Sequence, residues 1–133
     1  MNQIRIPISP GELLDKITIL EIKSERIESV DKRANVKNEL AMLDAVWADA
    51  VSEDDQLRVM RSELKSINEK LWVIEDEIRD EERDNRFAER FIKLARSVYV
   101  TNDQRADVKR RINLHLKSDI VEEKSYKDYK QSQ

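Results

Sequence analysis

Apolar residues recur at helical spacing through most of the chain, in four segments separated by polar stretches. The clearest segment runs from about residue 54 to 82, where apolar positions follow one another in alternating steps of three and four. Its members are Leu57, Met60, Leu64, Ile67, Leu71, Ile74 and Ile78. This spacing is typical of helices that pack along their length by heptads. We therefore predict a long third helix over this range.

The same periodicity predicts three further helices. They should run from about Pro10 to Ser29, from about Arg33 to Ala50 and from about Asn85 to Leu116, with the polar segments "SVDKRAN", "VSEDD" and "DEERDN" as turns. Residues 1–9 contain "IRIPI", which alternates apolar and polar positions and includes a proline. We expect a short extended arm there, and a polar tail that can fray over residues 118–133.

The strongest local signal is "SPGE" at the start of the first helix. Ser9 suits the N-cap, Pro10 suits the first turn, and Glu12 stands where its side chain can return a bond to the cap. These residues predict a capping box at the start of the helix.

Four amphipathic helices with short connections predict one all-α domain over residues 1–133, an elongated helical bundle or antiparallel coiled coil. The third and fourth helices should each have about 30 residues, or about 45 Å at 1.5 Å per residue. The first two are shorter and cannot cover them along their length. The uncovered seam favours self-association, most simply as a two-fold dimer, and a monomer with a ragged end is the alternative.

The composition fits long helices and narrows the chemistry. Charged residues make up 40% of the chain and aromatic residues 5%, and the mean hydropathy is −0.75. The net charge of −3 provides no overall attraction to nucleic acid or to an anionic membrane. With no cysteine, one glycine and the single histidine His115, we expect no disulfide, no glycine-rich phosphate loop, no metal and no cofactor. Without a signal-like or membrane-spanning apolar run, we expect a cytoplasmic protein.

Polar residues interrupt the apolar face of the predicted fourth helix. Asn102, Arg105 and Lys109 point the same way as its apolar residues. They could direct donors toward an anionic or amide-bearing ligand in a polar pocket. Alternatively, Asn102 sets the helix register and Arg105 pairs with a buried carboxylate. A third interpretation is a helix break at Thr101, with a capping box to Gln104.

Two other helices carry similar polar positions. In the first, Lys16 and Lys23 fall inside the apolar arc and Glu21 lies at its edge. Buried lysines need partners, unless their ammonium groups reach water along the protein surface. In the third, a second line beside the apolar stripe consists of Arg61, Asn68, Trp72, Glu75 and Arg79. Trp72 could pack on a partner helix or cover a pocket, and Glu75 is a natural counter-charge for Arg105 or Lys16.

Three segments of the chain resemble a known family. They are "IPISPGELLDKITILEIKSERI", "LARSVYVTNDQRADVKRRIN" and "VEEKSY". They are similar to small uncharacterised bacterial and phage proteins catalogued as a domain of unknown function, over nearly the whole chain. The resemblance implies no reaction. It implies that the signature segments of the family contain Asp15, Lys16, Glu21, Lys23, Asn102, Asp103 and Arg105.

We favour a non-enzymatic binding or assembly module that acts through a helical surface, as a homodimer or with a protein partner. The alternative is a protein or enzyme that binds a small phosphate- or carboxylate-bearing metabolite between helices one, three and four. Its candidate ligand-binding residues are Lys16, Lys23, Asn102, Arg105 and Lys109. The supporting polar candidates are Asp15, Glu21, Asn68, Trp72, Glu75 and Asp103.

Overall fold

The computed structural model describes residues 2–130 and confirms an all-α fold of four helices. The helices are α1 (Pro10–Arg26), α2 (Val30–Ala50), α3 (Asp55–Arg83) and α4 (Glu89–His115). Residues 2–9 precede α1 without regular secondary structure. Within residues 2–130, no helix has the length and apolar content needed to cross a membrane.

Three of the predicted helix boundaries are wrong by three or four residues: the end of α1, the start of α2 and the start of α4. The first turn lies three residues earlier than predicted, because Ser29 caps α2 by accepting a hydrogen bond from the backbone of Lys32 at 3.4 Å. The guanidinium of Arg33 also donates two hydrogen bonds to the carbonyl oxygen of Ile27 at the end of α1. At the other turn, Asn85 adopts a left-handed conformation with φ of 55°, so α4 begins at Glu89 rather than at residue 85.

The predicted capping box forms only in part. Ser9 Oγ accepts a hydrogen bond from the backbone of Glu12 at 3.2 Å, as an N-cap should. The Glu12 carboxylate does not return to Ser9. It accepts a hydrogen bond from Lys109 Nζ at 2.5 Å instead, because a charge-assisted bond is stronger than one to a neutral amide.

Helices α3 and α4 form an antiparallel hairpin, which is the longest feature of the fold. His115 contacts Asp54 near its open end, and Arg90 contacts Glu81 near its turn. Helix α1 packs on both helices of the hairpin, while α2 packs on α1. We call the half of the hairpin beneath α1 proximal and the remainder, residues 69–100, the distal hairpin.

The hydrophobic core lies where α1 meets the proximal hairpin. Leu14 and Ile17 of α1, Leu57 and Leu64 of α3 and Ile112 of α4 are all fully buried there. Trp47, near the end of α2, closes the same core. The core therefore occupies one end of the hairpin and joins all four helices.

The apolar stripe of α3 changes its exposure halfway along the helix. Leu57 and Leu64 have no exposed surface, whereas Leu71, Ile74 and Ile78 are only partly buried, although the spacing is unchanged. The change occurs where α1 no longer lies over the hairpin. The distal part of the stripe packs on α4 alone, whereas the proximal part packs on both α4 and α1.

Candidate functional site

A buried carboxylate, Asp15, joins α1, α3 and α4 at the edge of the core. Its side chain is 1% exposed and accepts hydrogen bonds from Arg105 Nε at 2.9 Å and from the Arg105 terminal nitrogen at 2.5 Å. Asn68 Nδ2 donates to Asp15 Oδ1 at 2.9 Å and to Thr18 Oγ1 at 3.0 Å. We call these four residues the Asp15 cluster.

The charges in this cluster are balanced inside the chain. The hydrogen bonds that Arg105 donates to Asp15, together with the charge of that carboxylate, raise the pKa of Arg105. Lys109 lies 3.9 Å from Asp15 while it binds Glu12. Among residues 2–130, no buried side-chain nitrogen or oxygen atom lacks a hydrogen-bond partner. The cluster therefore presents no unsatisfied buried donor to a ligand.

The prediction that Glu75 is the counter-charge of Arg105 or Lys16 is wrong. Glu75 binds Arg79 within α3 at 3.2 Å and is exposed, so it does not neutralise Arg105 or Lys16. Glu21 binds Arg61 at 3.2 Å and lies 3.8 Å from Lys65. The physical reason is position, because α1 crosses the hairpin with Asp15 between Asn68 and Arg105.

Helix α4 is continuous through Thr101, which is buried. Thr101 and Gln104 therefore do not form a capping box at a helix break. Asn102 Oδ1 accepts a hydrogen bond from Arg105 at 3.4 Å, which places the amide at the rim of the Asp15 cluster. Asn102, Arg105 and Lys109 are thus brought together, and both cations bind carboxylates of α1.

The remaining candidate residues lie apart from the Asp15 cluster. Lys16 is exposed and Lys23 is partly exposed, and the structure shows no ion pair for either within residues 2–130. Asp103 contacts Lys124 of the tail. Trp72 is partly exposed on α3, one turn beyond Asn68. The structure therefore unites some of the predicted polar positions and leaves others on separate surfaces.

A second polar connection fixes the start of α3 to α1 and α2. Glu53 accepts hydrogen bonds from the Trp47 indole at 2.9 Å and from Arg61 at 2.8 Å, and Arg61 continues to Glu21. Partial burial raises the pKa of Glu53, but the bonds from Arg61 and Trp47 and the nearby positive charges outweigh it, so the pKa is lowered overall. An ionised Glu53 holds Trp47 against the core.

Helix α1 lies very close to the backbone of α4 at Gly11. The amide of Gly11 donates to Asn113 Oδ1 at 2.7 Å, and both residues are buried. A Cβ atom at Gly11 would lie 2.5 Å from the Lys109 carbonyl oxygen. The only glycine of the chain thus allows the helices to approach closely, next to the bond between Glu12 and Lys109.

Sequence reasoning missed the roles of Gly11, Thr18 and Asn113, and named Asp15 only through the family resemblance. A signal was present for Asp15. It lies four residues after Gly11 and three before Thr18, on a line of α1 that is buried in the structure. An acid on such a line predicts a buried counter-charge.

Two open grooves lie outside the Asp15 cluster. One of about 590 Å³ lies between the start of α3 and the end of α4, beside Val59 and Leu114. Another of about 250 Å³ lies beside the N-terminal arm and includes Lys16 and Glu12. Arg105 lines neither groove. Within residues 2–130, no group of three or more histidine or acidic side chains could hold a metal ion.

The described part of the tail lies along α4. Glu122 accepts a hydrogen bond from Ser9 at 2.6 Å, and Glu123 binds Arg110 at 2.7 Å. Further along, the ring of Tyr129 lies 5.0 Å from that of Tyr99. These contacts lead the tail toward the distal hairpin.

Several apolar residues of the distal hairpin remain partly exposed. Arg61, Lys65 and Asn68 contact α1, and helical spacing places Trp72 on the same line of α3. On α4, Val98 and Phe91 lie seven and fourteen residues before Arg105, on the line that contacts α1. We define the distal face as six partly exposed residues: Leu71, Trp72, Ile74, Ile78, Phe91 and Val98.

Comparison with known proteins identifies a family. The model of a family of unknown function, DUF6165, matches residues 4–132. The chain belongs to this family. No curated protein and no solved structure matches the chain. The DUF6165 match covers most of the arm, the four helices and nearly all of the tail, so both the Asp15 cluster and the distal face lie within the family domain.

Proposed function

We propose that this DUF6165 protein is a non-enzymatic assembly module in which the distal face binds another helical surface, forming a homodimer. The observation that carries the proposal is the change in burial along one unbroken heptad stripe. Leu57 and Leu64 are fully buried in the core that α1 covers, while Leu71, at the edge of that core, and Ile74 and Ile78 beyond it are only partly buried. Because the apolar spacing is the same at both ends of α3, we expect a further helix to pack on the distal end as α1 packs on the proximal end.

The energetics support coverage of the distal face. An antiparallel pair of helices buries little apolar surface, and most helical stability in proteins comes from packing of an amphipathic face. Each 100 Å² of apolar surface removed from water contributes about 2.5 kcal/mol. Partly exposed apolar residues together with an aromatic residue such as Trp72 are typical of the core of a protein interface.

The Asp15 cluster supports this proposal in another way. Asp15 neutralises Arg105 within the cluster, and Glu12 neutralises the neighbouring Lys109. A satisfied polar cluster between three helices fixes their relative positions more than it adds stability. Such a cluster would hold α1 at a fixed place on the hairpin and so define where the distal face begins.

The experiment compares two substitutions on the same helix. Trp72→Glu places a charge in the distal face, and the control Val59→Glu places one on a side chain that is 65% exposed in the proximal half. Molecular mass is measured by light scattering after gel filtration, with circular dichroism to monitor folding. We expect the Trp72 variant to be a folded monomer and the Val59 variant to remain dimeric, because only the first buries a charge on association. A dimeric Trp72 variant would contradict the proposal.

A further inference from the structure

We infer, building on the proposed dimer, that the occupant of the distal face is a second copy of the chain lying in the opposite direction, with α3 packed on α3. In this arrangement the acidic tip of each hairpin meets the basic side of α1 in the other copy. The inference follows from three features: the position of α1, the length of the distal hairpin, and the distribution of charge.

The position of α1 fixes the direction of the second copy. Asp15 contacts both Asn68 and Arg105, so α1 lies on the same side of the hairpin as the distal face and forms a step at its edge. Helix α2 packs on α1 and makes this step thicker. If both copies pointed the same way, their two steps would occupy the same space. The second copy must therefore place its own α1 and α2 beyond the turn of the first hairpin.

This direction decides which helices meet. A two-fold axis across the hairpins, perpendicular to the helices, brings α3 onto α3 and α4 onto α4, each pair antiparallel. Residues 71–83 span about 20 Å at 1.5 Å per residue. When the two distal faces overlap fully, the turn of one hairpin reaches the step formed by α1 in the other. The same contact then occurs twice in the dimer.

The charges at this contact are complementary. Residues 75–86, which end at the hairpin turn, contain seven carboxylates and three arginines, an excess of four negative charges. Arg26 lies eleven residues after Asp15, on the same line of α1, and Lys23 lies one turn before it. Neither cation has an ion-pair partner within residues 2–130. The second copy supplies the missing carboxylates.

Glu75 and Arg79 provide a self-complementary pair at the centre of the interface. They lie on the line of α3 that continues from Asn68 and bind each other at 3.2 Å on the protein surface. In an antiparallel α3 pair, each glutamate can meet the arginine of the other copy. Like charges therefore do not face one another at the middle of the two-fold interface.

Charge reversal tests the arrangement. One variant carries Lys23→Glu and Arg26→Glu, and a second carries Glu82→Lys, which changes an exposed tip residue. We expect each alone to weaken dimerisation, by about tenfold for the double variant, because the altered contact occurs twice. An equal mixture should restore dimers containing one chain of each kind, since both contacts then join opposite charges.

The matched control carries Lys32→Glu and Lys37→Glu, which make the same charge change on exposed residues of α2. We expect this control to dimerise as the wild type does. Native mass spectrometry distinguishes mixed dimers from homodimers through their masses. The inference is overturned if the reversed variants dimerise normally or if mixing them restores nothing. If Trp72→Glu still dissociates the dimer in that case, the proposed function stands and only this arrangement fails.

Discussion

Arg105→Ala should cost the protein about 3 kcal/mol of unfolding free energy, because it leaves the carboxylate of Asp15 buried without its charged partner. Asp15 is 1% exposed, and Arg105 supplies two of its side-chain hydrogen bonds. Asn68 carries no charge, and Lys109, 3.9 Å from Asp15, is already bound to Glu12, so neither replaces Arg105. The measurement is urea unfolding followed by circular dichroism, with the free energy extrapolated to water.

Arg111→Ala is the matched control, because Arg111 lies on the same helix and binds the carboxylates of Glu63 and Asp107. These groups are all substantially exposed, so this substitution should cost at most about 1 kcal/mol. Equal losses for the two arginine variants would show that Asp15 is not an essential connection between the three helices. Replacing Asp15 and Arg105 together by leucine should recover most of the loss, since no buried charge then remains.

Gly11→Ala should destabilise the protein by about 2 kcal/mol, although the same change in an open helix is favourable. Alanine has a helix propensity about 1 kcal/mol better than glycine and also restricts the unfolded chain. At Gly11, however, the new Cβ would lie 2.5 Å from the Lys109 carbonyl and 2.8 Å from Asn113 Oδ1. Helices α1 and α4 would have to separate, at the typical cost of overpacking.

Gly11→Ala is informative because we expect a loss of stability where an open helix would show a gain. Thermal unfolding measures this change as a shift in melting temperature. Lys32→Ala provides the control in the first turn of α2, where the side chain is exposed and the change should stay within about 0.5 kcal/mol. An unchanged or raised melting temperature for Gly11→Ala would contradict the close approach of α1 to α4.

The sequence predicts helices well where one periodic signal dominates. The stripe of α3 and the N-cap at Ser9 are local features, and the structure contains both. The boundaries were wrong at Ser29 and Asn85, where a single residue decides between continuing the helix and turning. A hydrophobic pattern does not show where a helix ends, because capping and left-handed backbone conformations depend on individual side chains.

The candidate site was harder to predict because its contacts join distant parts of the chain. Arg105 and Asp15 are 90 residues apart, and only the crossing of α1 over the hairpin brings them together. Helical spacing identified Asn102 and Arg105 as polar positions on an apolar face and Asn68 as one beside an apolar stripe, but it carries no information on which face meets which. Spacing therefore favoured Glu75 as the partner of Arg105, because the position of α1, which supplies Asp15, cannot be read from it.

Sedimentation equilibrium of the wild-type chain over a range of concentrations tests most directly whether the distal face mediates self-association. One chain has a mass of 15.7 kDa. The expected result is a reversible equilibrium that approaches twice this mass as the concentration rises, and that Trp72→Glu abolishes. A mass of 15.7 kDa at every concentration would contradict the proposed dimer.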